Sequence, residues 1–408
     1  MSAGATVRDR GALSASAGRA QTDAKMRAAF WGVMASFIVH GLVASTWVSR
    51  IHSIKSELSL SDAALGVALL GTAIGSIVAI PVCGSLVTRY GSRRIVAATG
   101  AGFCAALLLP GLATGPATLF AALVFWGAMA GSNDVAMNAQ AVATEKALGV
   151  PAMSRFHAMF SLGGIIGAAG GGLIASRGIA PSVHFACSAA VFLVIALLAP
   201  RLMLDARPGA AKHATRRWRH VPATLLALSA IGFCMFLSEG AIADWAGVYL
   251  HEALHSSEGF APAGYAVFSA AMAIFRFAGD AITARIGRRR VIRYGACVAA
   301  AGVALALCVS SPYWALAGFA AAGIGFSSIV PNVFGAAGAV PGVSEGAGVA
   351  TVSGVGYLGF LVGPPAIGFV SEISSLRGGL CLLVFLCLAG AMLAGVGTAR
   401  VRRQNCAG

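Results

Sequence analysis

The chain has 408 residues, of which 58% are hydrophobic and 11% charged, and it carries a formal net charge of +15. Its 53 glycines raise the apolar-plus-glycine share to about 71%, against ~45–50% in soluble domains, and the charged share is less than half the usual ~25%. This composition excludes an ordinary soluble enzyme, which needs polar-coated domains, and a disordered chain, which needs low hydrophobicity.

Residues 1–27 are rich in Ala, Ser, Gly and Arg and contain no apolar core of the kind a signal peptide needs, so they read as a disordered tail. Twelve apolar stretches follow, at 28–48, 63–87, 95–111, 117–142, 156–175, 182–200, 222–249, 262–283, 291–309, 314–336, 347–370 and 379–399. Each is near the ~20 residues a helix needs to cross a bilayer. None alternates polar with apolar as the strands of a membrane barrel do, so all twelve read as helices. Eight of the nine cysteines lie inside these stretches. With no CxxC pair they read as small core residues, and no metal site is expected.

The basic residues are distributed unevenly. Twenty-four of the 29 Lys and Arg fall in the two tails and the loops after even-numbered spans. Arg50, Lys55, Arg177 and Arg377 lie on the other side, and Arg276 lies inside span 8. By the positive-inside rule both termini are cytoplasmic. The basic pI that suggests nucleic acid is thereby accounted for by topology and by attraction to anionic lipid, and no nucleic-acid partner is expected.

The loop 201–220 divides the chain into two halves that align at a shift of 196–198 residues. Trp47 and Gly66 match Trp245 and Gly264, "TRYGSRR" (88–94) matches "ARIGRRR" (284–290), and Gly163, Gly167 and Gly172 match Gly359, Gly363 and Gly368. The expected architecture is an all-α polytopic membrane protein with 12 transmembrane helices in two pseudo-symmetric six-helix bundles. Its parts are a tail 1–27, a bundle 28–200, a cytoplasmic linker 201–220, a bundle 221–399 and a tail 400–408. Duplicated bundles of this kind mark transporters that rock two halves about a midplane site.

At this point the chain resembles the major facilitator superfamily over essentially all of its length after residue 26. "GSLVTRYGSRR" is similar to the superfamily's cytoplasmic loop motif, with Arg89 and Arg93 in place, although Thr88 stands where an acidic residue is usual. The second half offers Asp280, Arg285 and Arg289 in "GDAITARIGRRR". Span 11, "GYLGFLVGPPAIGF", looks like the glycine-proline packing motif. "NDVAMNAQAVATEKALG", "MSRFHAMFSLGGIIGA" and "EGAIADWAGVYL" are similar to the YbjJ-type bacterial inner-membrane permeases. The resemblance implies an inner-membrane permease, and spans 1, 4, 7 and 10 as the lining of a central cavity.

Ionisable residues inside spans are functional candidates by default. In span 4, Asp134 lies 16 residues past Thr118, about 24 Å along the helix, and Asn138 and Glu145 fall on its face. These form one polar stripe leading to the cytoplasm. Asn138 alone fits a helix–helix hydrogen bond equally well. His157 opens span 5 and fits either a proton relay with Asp134 or Glu145 or a solvated interfacial residue. In span 7 Glu239 lies about 25 Å past Pro222, and Asp244 lies nearer the outer surface beside Trp245, a residue type that anchors interfaces. The resemblance then puts His40, Asp134, Glu239 and Asn332 one on each lining helix. Asn332 follows Pro331 and fits equally a kink whose freed backbone needs a polar neighbour. Arg276 and Asp280, four residues apart, fit an intramembrane ion pair or, for Arg276, a substrate anion.

Gly163, Gly167, Gly359 and Gly363, with Pro364, read as close-packing positions between helices. No Walker sequence is present, so the proton gradient is the expected energy source and no cofactor is expected. The function expected is secondary transport of a small solute by a monomer in the bilayer, coupled to protons. The alternatives are proton-driven efflux of amphipathic compounds and, from another class, a non-transporting sensor. An enzyme is not expected, for want of a nucleophile–base or metal cluster.

Overall fold

A computed structural model describes residues 4–149, 152–206, 221–343 and 345–398; the side chains of 4–23, 154, 280, 345, 346 and 396–398 are not among those described. The first half contains α1 (Gly4–Val48), α2 (Ile51–Glu57), α3 (Asp62–Tyr90), α4 (Ser92–Ala106), α5 (Pro116–Leu148), α6 (Met153–Ala175) and α7 (Pro181–Leu198). The second contains α8 (Ala223–Val248), α9 (Ala263–Ile286), α10 (Arg288–Cys308), α11 (Pro312–Phe326), α12 (Ile329–Ala337), α13 (Glu345–Ile373) and α14 (Leu376–Thr398). Local chemistry sets several of these ends. Pro116, Pro181 and Pro312 open their helices at a first-turn position, where the missing N–H costs nothing. The Ser61 hydroxyl caps α3 by accepting from the Ala64 N–H, 3.2 Å away.

Among the described residues, eleven helices are long and apolar enough to cross a membrane. The twelfth span is α9, whose apolar part is the shorter stretch Ala263–Gly279 and which carries Arg276 within it. Large apolar side chains point outward from these helices: Phe277, Tyr313, Ile373 and Met392 are all more than 70% exposed. An apolar surface so extensive has lipid, not water, as its solvent.

The structure corrects or adds to the sequence reading at four points. Helix α1 begins at Gly4, so the segment expected as a disordered tail continues the first span's helix. Span 10 is two helices, because the chain breaks at Ser327–Ser328 between α11 and α12. The loop after span 1 contains α2, whose Ile51–Lys55 are buried. Trp245 is fully buried rather than at an interface, as is Trp47, its counterpart in the first half. Most of the expected linker, residues 207–220, and the tail 400–408 lie outside the described residues.

The helix pairing repeats. In the first half α1 packs on α6, α3 on α5, and α4 on both α5 and α7. In the second half α8 packs on α13, α9 on α11, and α10 on both α11 and α14. The backbone repeats as well. Gly91 and Gly287 both adopt positive φ (89° and 83°) with ψ of 144° and 148°, each ending one helix and starting the next. Only glycine adopts this conformation without strain. The halves meet through α3 against α13 and α6 against α9, one contact being the pseudo-symmetry mate of the other.

The loop after α3, the end of α5 and the segment after α7 come together at one end, the basic end. There the Ser92 N–H donates to the Ala206 carbonyl (2.9 Å) and Gln140 Nε2 to the Leu204 carbonyl (2.9 Å). Hydrogen bonds and ion pairs join the halves at the opposite end: Lys55 with Glu252, and the Ala63 N–H donating to Glu372.

Candidate functional site

The site is built where the halves face each other. Asp134, on α5, is partly accessible; its Oδ1 accepts from Asn138 Nδ2 at 3.0 Å, one turn further on. That bond follows from the i,i+4 spacing. Across the interface, Tyr357 on α13 lies close enough to interact electrostatically with Asp134. In the second half Glu239 and Asp244 on α8 are both partly accessible, and both act on the Tyr265 hydroxyl of α9.

Arg276 is the cation of this region. It lies close enough to interact electrostatically with Glu239 of its own half and His157 of the other, and its Nε donates to the Ser327 carbonyl at 3.2 Å and its Nη2 to Met272 Sδ at 3.0 Å. The origin of that carbonyl is local. In a continuous helix Ser327 would receive the N–H of residue 331, but residue 331 is proline and has none. The break between α11 and α12 thus supplies a free acceptor, and Arg276 takes it. Asn332 steadies the same break, donating through Nδ2 to the Ser328 carbonyl (2.8 Å) and to Thr283 Oγ1 on α9 (3.0 Å). Discontinuous helices at the midplane are a recurring way for transporters to expose backbone groups.

The expected set of four is therefore divided. His40 is 8% exposed and sits inside the first half, against Phe103 and Phe160, with Nδ1 2.9 Å from Asn133 Nδ2. Asn332 is 7% exposed and tied to its own helix and to α9. Asp134 and Glu239 stay outside these internal networks: Asp134 lies near Tyr357 of the other half, and Glu239 near Arg276, which lies near His157 of the other half. The pairs expected for His157 are not formed. Glu145 instead accepts from the N–H groups of Ala152 and Met153 (2.7 and 2.8 Å), capping α6, so it ends the polar stripe as a structural residue. His157 is exposed and packs edge-on against Phe37, with ring centroids 5.1 Å apart. The Asp280 side chain lies outside the described residues, and with it the expected Arg276–Asp280 pair.

The loop-motif arginines lie at the basic end. Arg89 lies over the Tyr90 ring at 5.2 Å, Arg93 reaches the Arg201 carbonyl at 3.4 Å, and Arg285 and Arg289 are exposed. The glycines pack as the four-residue spacing predicts. A Cβ at Gly163 would overlap the Ile38 carbonyl oxygen, and one at Gly167 would overlap Ser45 Oγ. At Gly359, the counterpart of Gly163, an added Cβ would lie 2.5 Å from the Phe233 carbonyl oxygen; Gly363 faces Leu237, and the Pro364 carbonyl faces Gly66 of the other half.

Tyr265, Tyr357 and Asn133 were missed at the sequence level, because a tyrosine or asparagine in an apolar run gives no sign of its direction. Lys55 and Glu252, the ion pair between the halves, did leave a signal. Their separation of 197 residues is within one residue of the local repeat shift of 198.

With this geometry in place, the chain can be compared with known proteins. The family profile of the Major Facilitator Superfamily matches residues 29–341 and 228–405. An MFS-type transporter from Yersinia pestis is 36% identical over 365 residues, covering 90% of this chain and 93% of the relative. The chain belongs to the major facilitator superfamily. Two further relatives of this superfamily member are the transporter y4wD of Sinorhizobium fredii, 33% identical over 86% of this chain and 93% of its own, and the membrane protein MosC of Rhizobium meliloti, 34% identical over 85% of each. Among solved structures, a point mutant of the nucleoside transporter NupG superposes with a TM-score of 0.74 at 12% identity, over 91% of this chain and 99% of its own. A bacterial homologue of the human lysosomal transporter Spinster, in an inward-facing and occupied conformation, reaches 0.73 at 15% identity, over 91% and 96%. The fold is thus the superfamily's twelve-helix fold, and the protein is a multi-pass membrane transporter.

Proposed function

We propose that this transporter moves a small polar solute by alternating access, coupled to protons through Asp134 and Glu239. What supports this reading is a pair of partly accessible carboxylates inside spans, Asp134 near Tyr357 of the other half and Glu239 near Arg276, which is itself near His157 of the other half. A carboxylate in such a place can take a proton when open to one side of the membrane and release it on the other. Arg276, anchored through Nε to the Ser327 carbonyl and through Nη2 to Met272 Sδ, keeps its other terminal nitrogen for an anionic group of the solute. The positive-inside rule places the basic end and both termini on the cytoplasmic side of a bacterial inner membrane.

One observation favours a second reading, proton-driven export of amphipathic compounds. Phe236 stacks on Phe360 with centroids 5.2 Å apart and lies beside Tyr357, an apolar surface beside the polar groups.

Proteoliposomes with an imposed pH gradient and a broad solute panel test the proposal. Asp134→Asn and Glu239→Gln are each expected to abolish gradient-driven accumulation while sparing expression. Normal accumulation in both would overturn the assignment, and flux indifferent to the gradient would overturn proton coupling. A substrate that is large and apolar would decide for the second reading.

A further inference from the structure

The described ion pairs share one residue, Lys55, in the last turn of α2. It is 7% exposed. Its Nζ donates to Asp62 Oδ1 at 2.6 Å, within its own half, and to both Glu252 oxygens at 2.7 and 2.5 Å, in the other half. Residues one repeat apart occupy equivalent places in the two halves, so they can meet only near the axis that relates those halves. Lys55 and Glu252, 197 residues apart, lie one residue from such a pair at the local shift of 198. Beside them the His52 and His251 rings approach to 5.3 Å, also across the halves. Gly259 packs against Ser176, and Gly368 against the Asp62 carbonyl.

We propose that Lys55, Asp62 and Glu252 form a latch that closes this end of the transporter, with Glu252 as the moving contact and Asp62 as the retaining one. A buried ammonium left without a carboxylate is strongly disfavoured. When the halves part, Lys55 keeps Asp62 and only Glu252 passes into water. The Lys55–Asp62 attraction is thus common to the closed and open forms. Closing adds the Lys55–Glu252 attraction and the Asp62–Glu252 repulsion. The two carboxylates therefore act in opposite directions: Glu252 favours closure, and Asp62 keeps closure reversible. The latch rests on the alternating-access reading above only in requiring that this end opens.

Hydrogen–deuterium exchange on the full chain in lipid nanodiscs tests it, comparing wild type, Glu252→Gln and Asp62→Asn. Glu252→Gln is expected to raise exchange over residues 51–57 and 249–258 at least about three-fold, the scale of a single partly exposed ion pair. It should also lower exchange over 84–94 and 284–290 at the basic end. Asp62→Asn is expected to do the reverse at both ends. Shifts of the same sign in the two variants, or none at 51–57 and 249–258, would overturn the latch. Should one variant fail to fold, the sign of the other decides. Opposite shifts at the latch with no response at the basic end would leave the latch standing and count against alternating access.

Discussion

His40 and Asp134 show what decides the role of a polar residue inside a membrane span. Both look equally expensive in the sequence. Asn133 and Asp134 are neighbours on α5, so their side chains point about 100° apart, one into the first half and one toward the second. His40 meets Asn133 and is absorbed into the bundle, while Asp134 is left facing the inter-half region. An apolar run on all sides carries no record of which way is inward, so this distinction was not legible in the sequence. The presence of the candidates was. Asn133→Ala is expected to leave His40 Nδ1 buried without its partner, at a cost of about 1–3 kcal/mol. It should lower the thermal midpoint measured by tryptophan fluorescence and leave flux per folded molecule unchanged.

Helix packing was largely legible, because small residues every fourth position have one use in an apolar helix. On α6, Gly163 and Gly167 meet α1 closely, while Gly164 and Gly170 have nothing within 4 Å of an added Cβ. The periodicity alone separates these two groups. Gly163→Val would drive its side chain against the Ile38 backbone carbonyl, which cannot give way as a flexible side chain can. A loss of about 1–3 kcal/mol is expected, read as a lower midpoint in thermal unfolding. Gly170→Ala serves as the control and should leave the midpoint unchanged or slightly higher. The break in span 10 was only half legible. Pro331 announced that a carbonyl would be freed, but the residue that takes it, Arg276, lies 51 positions before Ser327, on another helix.

Between the halves the same close packing has a different consequence, because two rigid bundles can move apart without unfolding. A Cβ at Gly368 would sit 2.5 Å from the Asp62 carbonyl oxygen, across the interface. Gly368→Val is therefore expected to hold the halves apart at the latch end and leave each bundle intact. Exchange over residues 51–57 should rise, while the thermal midpoint falls much less than in Gly163→Val. An equal fall in both would mean that the interface is part of one rigid core.

The amino-acid sequence by itself determined the membrane setting, the span number, the doubling and the family resemblance. These depend on hydropathy, charge placement and spacing along one chain, all of which are local or periodic quantities. Tertiary structure decided which polar residues share a space. It sent His40 and Asn332 into structural bonds, gave Glu145 to a helix end, and left Asp134 near Tyr357 and Arg276 near His157, each across the halves, with Glu239 beside Arg276. It also brought Lys55, Asp62 and Glu252 together at the opposite end. The physical reason is that a side chain's partner depends on its direction around its helix and on the rotation of the neighbouring helix, and the direction matters only once the helices are packed. Where two repeats meet near their symmetry axis, the repeat shift itself carries part of that information, and Lys55 and Glu252 lie within one residue of that spacing.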